Sequence, residues 1–234
     1  MNAILFIPVV LVLIFISVVG LIIFITYYFS KKQVIIRTLS KIPRKPASSL
    51  KTNELSKVTG KALHVTAPLI APYTERKCVF YQIRIQQKVS SGKNSRWKTL
   101  VREEKFQDFF VDTNNDFVIV KPQEHPRNYI CYLVKDSKQS SGTFDDPTPQ
   151  FEAVLRRYNI NPENFFGFNK RLRYEEGIIE IGERITVAGI ATWKTLSEPI
   201  SEYPYSKIAA LENDHKQKLI ITDLPEVINQ RRSL

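Results

Sequence analysis

The chain is predicted to be mainly β, with one N-terminal transmembrane helix followed by a small β-barrel or sandwich and a single capping helix; an OB-like barrel fits the pattern. Three observations predict this. Residues 3–29, "AILFIPVVLVLIFISVVGLIIFITYYF", carry no charge. From Glu54 onward the apolar residues recur mainly with period two, broken by turn clusters such as "SSGKNS", "DTNND", "SSGTFDDP" and "ENDH". One short stretch, "TPQFEAVLRRYNI", has helical spacing instead.

At about 1.5 Å per residue the first run reaches about 40 Å, more than the hydrocarbon core of about 30 Å. It lacks the basic n-region, short apolar core and small-residue cleavage site of a cleavable signal, so a retained anchor is expected. Pro8 falls in the first turns, where a missing amide costs little, and Tyr27, Tyr28 and Phe29 stand where an interfacial aromatic belt belongs. The following segment holds Lys31, Lys32, Arg37, Lys41, Arg44, Lys45 and Lys51 with no acid. Basic flanks stay on the cytoplasmic side, which predicts an outer N-terminus and a cytoplasmic body. Such a segment is either a plain topology signal and tether or a contact for anionic lipid headgroups. Pro43, Pro46, Ser48 and Ser49 make it a poor regular element.

The net charge of +11 would suggest nucleic acid, but removing these seven from the 34 basic residues leaves 27 against 23 acidic ones, a body of only +4. The expected organisation is an anchor over 1–30, a basic linker over 31–53, a β-domain over 54–224 and a tail over 225–234. With 43% hydrophobic residues the body can bury a core.

Within the body, "KCVFYQIRIQQKV" alternates Val79, Tyr81, Ile83 and Ile85 against Phe80, Gln82, Arg84 and Gln86, a strand with one wet face. Further strands are predicted over 97–103, 106–111, 117–121, 129–134, 168–176, 184–192 and 218–222. For the helix, Thr148 is the N-cap, Pro149 the first helical residue, and Phe151, Val154, Leu155 and Tyr158 form the stripe that covers an open part of the β-structure.

Each candidate chemistry has a plainer explanation. Glu175, Glu176, Glu180 and Glu183 invite a paired-carboxylate mechanism, yet strand neighbours point to opposite faces, so a solvated strand edge is expected. Gly177, Gly182 and Gly189 match no phosphate-loop pattern; Gly182 in "EIGER" suits a turn with positive φ, and mid-strand Gly189 a bulge or close approach. His64, His125, His215, Cys78 and Cys131 share no ligand-pair spacing, so neither a metal nor a Cys–His nucleophile is expected. The two cysteines are too few for a disulfide framework; buried thiols fit best, with one bridge still open. "SSGKNSRW", with Lys93, Arg96 and Trp97, reads as a solvated hairpin loop. "FFGFNKRLRY" interleaves Phe165, Phe166 and Phe168 with Lys170, Arg171 and Arg173 as single-strand binders do, but core aromatics alternating with a wet face are favoured.

Three segments in order, "KVTGKALHVTAPLIAPYTERKCVFYQIRIQ", "WKTLVREEKFQDFFVDTNNDFVIVKP" and "RYEEGIIEIGERITVAGIA", carry a family resemblance. They resemble the membrane-adjacent domain, called GIDE or beside-a-membrane (BAM), of a family of mitochondrial E3 ubiquitin ligases that also occurs in bacterial proteins. The likeness spans roughly 55–193 and rests on V-x-G-x-A, on APL before the cysteine strand, and on E-E-G-I-I-x-I-G-E. Those ligases continue into a second span and a zinc-binding RING. After Trp193 this sequence has no further apolar span, no cysteine and one histidine, His215, so ubiquitin transfer is not expected of these residues.

The function expected is therefore a single-pass, membrane-anchored binding or assembly module without catalytic residues, cofactor or metal. Its partners would be the bilayer and a membrane-proximal protein, met through an exposed strand edge or loop. Gly60, Pro68, Pro72, Cys78, Gly177, Gly182 and Gly189 are the expected structural positions. The rivals are a ligase-family activity and an OB-like nucleic-acid binder, the latter disfavoured by the near-neutral body.

Overall fold

Two units make up the chain, Met1–Lys41 and Ile42–Leu234. The computed structural model describes residues 3–114, 116–196 and 206–230.

The first unit is helical. α1 (Ala3–Tyr28) contains an 18-residue stretch, Leu11–Tyr28, long and apolar enough to cross a membrane, and its side chains there are exposed. Two hydroxyls within it are satisfied by the preceding turn, Ser17 Oγ on Leu13 O and Thr26 Oγ1 on Ile23 O, each at 2.9 Å. α2 (Lys31–Ser40) starts at Ser30, whose extended backbone and hydroxyl cap the Gln33 amide. The basic segment is thus regular over its first half, because the N-cap and the prolines' position after residue 42 leave ten residues free to coil. Only a short 3₁₀ turn, Ala47–Ser49, follows in the proline-bearing half.

The second unit is built on strands. In chain order they are β1 (Leu55–His64), β2 (Leu69–Ile70), β3 (Lys77–Ser91), β4 (Asn94–Phe106), β5 (Phe109–Asp112), β6 (Phe117–Val120), β7 (Tyr129–Tyr132) and β8 (Ser137–Ser141). After helix α3 (Pro149–Arg157) come β9 (Leu172–Glu180), β10 (Arg184–Thr195), β11 (Lys207–Glu212) and β12 (Leu219–Thr222), then a turn of helix, α4 (Pro225–Ile228). Five strands close a barrel in the order β1-β5-β6-β11-β10, with β10 returning to β1. All its pairs are antiparallel except β6 with β11. Five strands closed by a Greek-key connection are what the OB-like expectation required. On its other edge β10 pairs β12 over 186–188 and β11 over 190–195, and β12 carries β7 beside it in parallel.

The remaining strands form a second sheet, β2-β3-β9-β8, with β4 on the outer side of β3. It is assembled from the long connections between barrel strands. β3 is the joint. Its pairing with β9 shifts between Cys78 and Phe80, a bulge that reverses which residues face which core. Val79 and Phe80 enter the barrel core with Val58, Phe109, Val187 and Ile221, whereas Cys78, Tyr81, Ile83 and Ile85 face the other way. Against that second face α3 lays Phe151, Val154 and Leu155, and the Phe151 ring lies 6.0 Å from that of Tyr174. The expected wet face of β3 is therefore absent at its start, where four consecutive residues from Cys78 to Tyr81 are buried.

Thr148 caps α3 through the Phe151 amide with Pro149 at its start, as its sequence predicts. β8 and β11 lie outside the strands that the period-two pattern predicts; β8 forms by pairing with β9, and β11 by pairing with β10 and β6.

Candidate interaction surfaces

The carboxylates of β9 and its turn are committed to holding the fold. Glu176 is fully buried, not on a solvated edge. It accepts hydrogen bonds from the amides of Tyr73 and Thr74 at 2.9 and 3.1 Å, from Thr74 Oγ1 at 2.6 Å and from Tyr174 OH at 2.6 Å. The β2–β3 turn that contains Pro72 is thereby clamped to β9. Burial and the Glu176 contact push the Tyr174 hydroxyl well above the usual phenol range. Glu175, on the opposite face, pairs with Arg84 and Lys135. Burial pulls its carboxyl upward, but those two cations outweigh it and hold it below the ordinary carboxylate range.

Glu180 receives Arg76, which also reaches Asp136. Glu183 accepts the Glu180 amide at 2.8 Å across the β9–β10 turn, and burial, with the Asp136 and Glu180 charges, raises its pKa. The opposite-face argument against a carboxylate pair holds for Glu175 and Glu176.

Nearby, Asp223 follows β12 and accepts the Val134 amide at 2.8 Å. Burial pushes its pKa up to about 7, with the charges of Glu183 and Asp136 adding to the rise and the Val134 amide opposing it.

The glycines shape backbone. Gly182 has φ +85° in the β9–β10 turn, the left-handed region a side chain resists. At Gly60 an added Cβ would lie 2.0 Å from Asp112 O of the neighbouring barrel strand; at Gly177 and Gly189 it would meet Val134 O at 2.7 Å and Glu212 O at 2.8 Å. Pro68 lies just before β2.

Cys78 and Cys131 are both buried and neither is in a disulfide, which closes the disulfide alternative, and burial pushes the Cys78 thiol up to about 12. His64, His125 and His215 are all exposed, and among the described residues no group of His, Cys, Asp and Glu could hold a metal. A groove of about 420 Å³ is lined by Ser48, Asp116, Phe117, Trp193 and Lys207. Trp193 there donates its Nε1 to Leu50 O, a packing contact.

The seven basic residues divide between the units. Lys31, Lys32 and Arg37 lie on α2, and Lys41 is its C-cap. Arg37 stacks over the Tyr28 ring at 3.7 Å. Arg44 and Lys45 belong to the β-unit, where Arg44 reaches Ile228 O and Gln230 O and Lys45 pairs with Glu54 at 2.6 Å. Lys51 is exposed.

Two surfaces remain outward. The first is β4, a 13-residue strand paired only with β3 among the described strands. The Gln107 amide after it points inward to Val79 O, so by alternation the amides of Phe106, Glu104 and Arg102 point outward. Glu103 turns to Tyr81 OH and Glu104 to Tyr129 OH and Arg127, leaving Arg96, Lys98, Arg102 and Lys105 as the exposed charges. Trp97, half-exposed, lies under the Arg173 guanidinium at 4.1 Å. The second is the "NFFGFN" loop before β9. Its aromatics are outside the core, contrary to the reading of core aromatics: Phe165, Phe166 and Phe168 are exposed because the loop folds on its own asparagines instead of on a core. Comparisons with protein-family models, with curated proteins and with solved structures returned no match to this chain.

Proposed function

We propose that the protein is a single-pass, membrane-anchored binding or assembly module that recruits a membrane-proximal protein by strand addition to β4. The observation that carries the reading is the open edge of β4, with a row of outward amides and carbonyls and a basic margin. An acidic extended segment of the partner fits that margin. The apolar length of α1 supports the anchor, and anchoring raises the local concentration of membrane neighbours enough for a modest interface to suffice. The carboxylates of the E-E-G block support a non-catalytic reading, since each is already spent on amides, hydroxyls or cations of the fold. The basic residues of α2 support an outer N-terminus and a cytoplasmic β-unit.

Hydrogen exchange tests the edge. In the full chain in its native membranes, the amides of Arg102, Glu104 and Phe106 exchange more slowly than in the detergent-purified chain, while the exposed loop around Asp214 is unchanged. Equal exchange of the three amides in both states overturns strand addition.

A further inference from the structure

The loop over 161–170 is a closed hydrogen-bonded device. Asn164 Oδ1 accepts the amides of Phe166 and Phe168 at 2.9 and 3.1 Å; the Asn164 amide donates to Phe168 O at 2.8 Å, and the Gly167 amide to Asn164 O at 3.1 Å. Gly167, at φ +77°, makes the reversal possible. Farther back, Asn161 Oδ1 accepts the Glu163 amide, the Lys170 amide reaches Pro162 O, and Lys170 Nζ reaches Asn161 O. What the loop displays is apolar: Phe165 is 97% exposed and Phe166 79%, the two rings edge to face at 5.6 Å.

A second tip stands beside it. Gly142 and Asp145 exchange backbone hydrogen bonds at 2.9 and 3.1 Å around a turn that holds Phe144 96% exposed. Asn169 Nδ2 donates to Asp146 Oδ1 and Ser141 Oγ to Lys170 O, so the two tips are fastened to each other at the end of the β8–β9 pair.

Clustered rings of this size in water are a cost that ordinary surfaces avoid and that interaction sites carry. Three features select the partner. The amides of Glu163, Asn164, Phe166, Gly167, Phe168 and Lys170 are satisfied within the loop, which lowers the cost of entering a medium poor in hydrogen-bond partners. Around the tips Lys138, Lys170 and Arg171 stand against Asp145, Asp146 and Glu163, so these charges cancel. That gives a phosphate backbone little hold, and insertion rests on the rings. The same chain bears a helix able to span a bilayer, so a lipid surface is always within reach.

We propose that the paired tips carrying Phe144, Phe165, Phe166 and Phe168 insert into the interfacial layer of the bilayer, giving the β-unit a membrane contact of its own, separate from α1. The proposal rests on the anchored reading of α1, and its test keeps the two apart. Cys78 and Cys131 are buried, so a thiol introduced on the surface is the one a spin label reaches. The full chain is labelled at Phe165→Cys, at Ile22→Cys within α1 or at Asp214→Cys, and reconstituted in phosphatidylcholine vesicles. Collisions with dissolved oxygen and with an aqueous nickel complex are then compared. The label at 165 is expected to lose nickel collisions and gain oxygen collisions as the label at 22 does, while that at 214 keeps its nickel collisions. In a chain with Phe144→Ser, Phe165→Ser and Phe166→Ser, a label at Phe168→Cys returns to water. A label at 165 that stays in water while that at 22 is in lipid overturns the insertion and leaves the anchor standing. Labels in water at both positions remove both readings, and an unchanged label at 168 in the triple variant overturns the role of the rings.

Discussion

Asp223 and Glu176 show two ways a buried carboxylate is accommodated. Glu176 collects four hydrogen-bond donors, whereas Asp223 has the Val134 amide and acidic neighbours in Glu183 and Asp136. Because the folded pKa of Asp223, about 7, lies above the unfolded value of about 4, the folded state holds a proton the unfolded state releases. Its contribution to stability is complete below pH ~4 and is lost as pH rises through about 7. Asp223→Asn retains an acceptor for Val134 and removes the charge. Thermal or urea unfolding should therefore show the variant more stable than the parent at pH 8, by about 2 to 4 kcal/mol, with little difference at pH 4. A gain of equal size at both pH values would mean that the proton is not involved.

At the scale of elements, the β4 edge separates two kinds of proline substitution. Arg102→Pro removes an outward amide and Glu103→Pro an inward one that belongs to the β3 ladder. The first is expected to leave the unfolding midpoint nearly unchanged and to abolish the slowed exchange of the edge amides in membranes; the second should cost on the order of 1–3 kcal/mol in denaturant unfolding. Elements whose signals are local were readable: α1 from its charge-free length, α3 from Thr148 and Pro149, the β9–β10 turn from Gly182. β11 was not, since "KIAALE" is alanine-rich and owes its strand to β10 and β6 on either side. β8, "SKQSS", is polar and exists by pairing with β9. The expectations of a solvated edge at Glu176 and of core aromatics at Phe165, Phe166 and Phe168 failed for the same reason. Three of the four donors to Glu176 come from a turn about a hundred residues earlier, and Phe165 is held outside the core by the bonds of Phe166 and Phe168 to Asn164, which spacing alone does not reveal. The "NFFGFN" string, with asparagine before and glycine within, was the signal of a self-contained turn.

For the whole molecule, the anchored reading makes a directional prediction. Protease added outside intact cells should leave the β-unit uncut, and opening the membrane should expose it, starting at the exposed loops around Lys93 and Asp214. Digestion of the β-unit from the outer side alone would reverse the orientation.

The closure of the barrel also sets a schedule for biogenesis. Leu55 in β1 pairs with Ile190 in β10, 135 residues later, and Val58 with Val187. At roughly 5–20 residues per second of synthesis, β1 waits on the order of ten seconds for the strand that closes over it. The apolar N-terminal helix emerges well before that moment. Targeting of such a helix to a bilayer can thus precede folding of the β-unit, and while residues 61–64 of β1 find β5 early, its first half, "LSKVTG", spends the interval without its β10 partner.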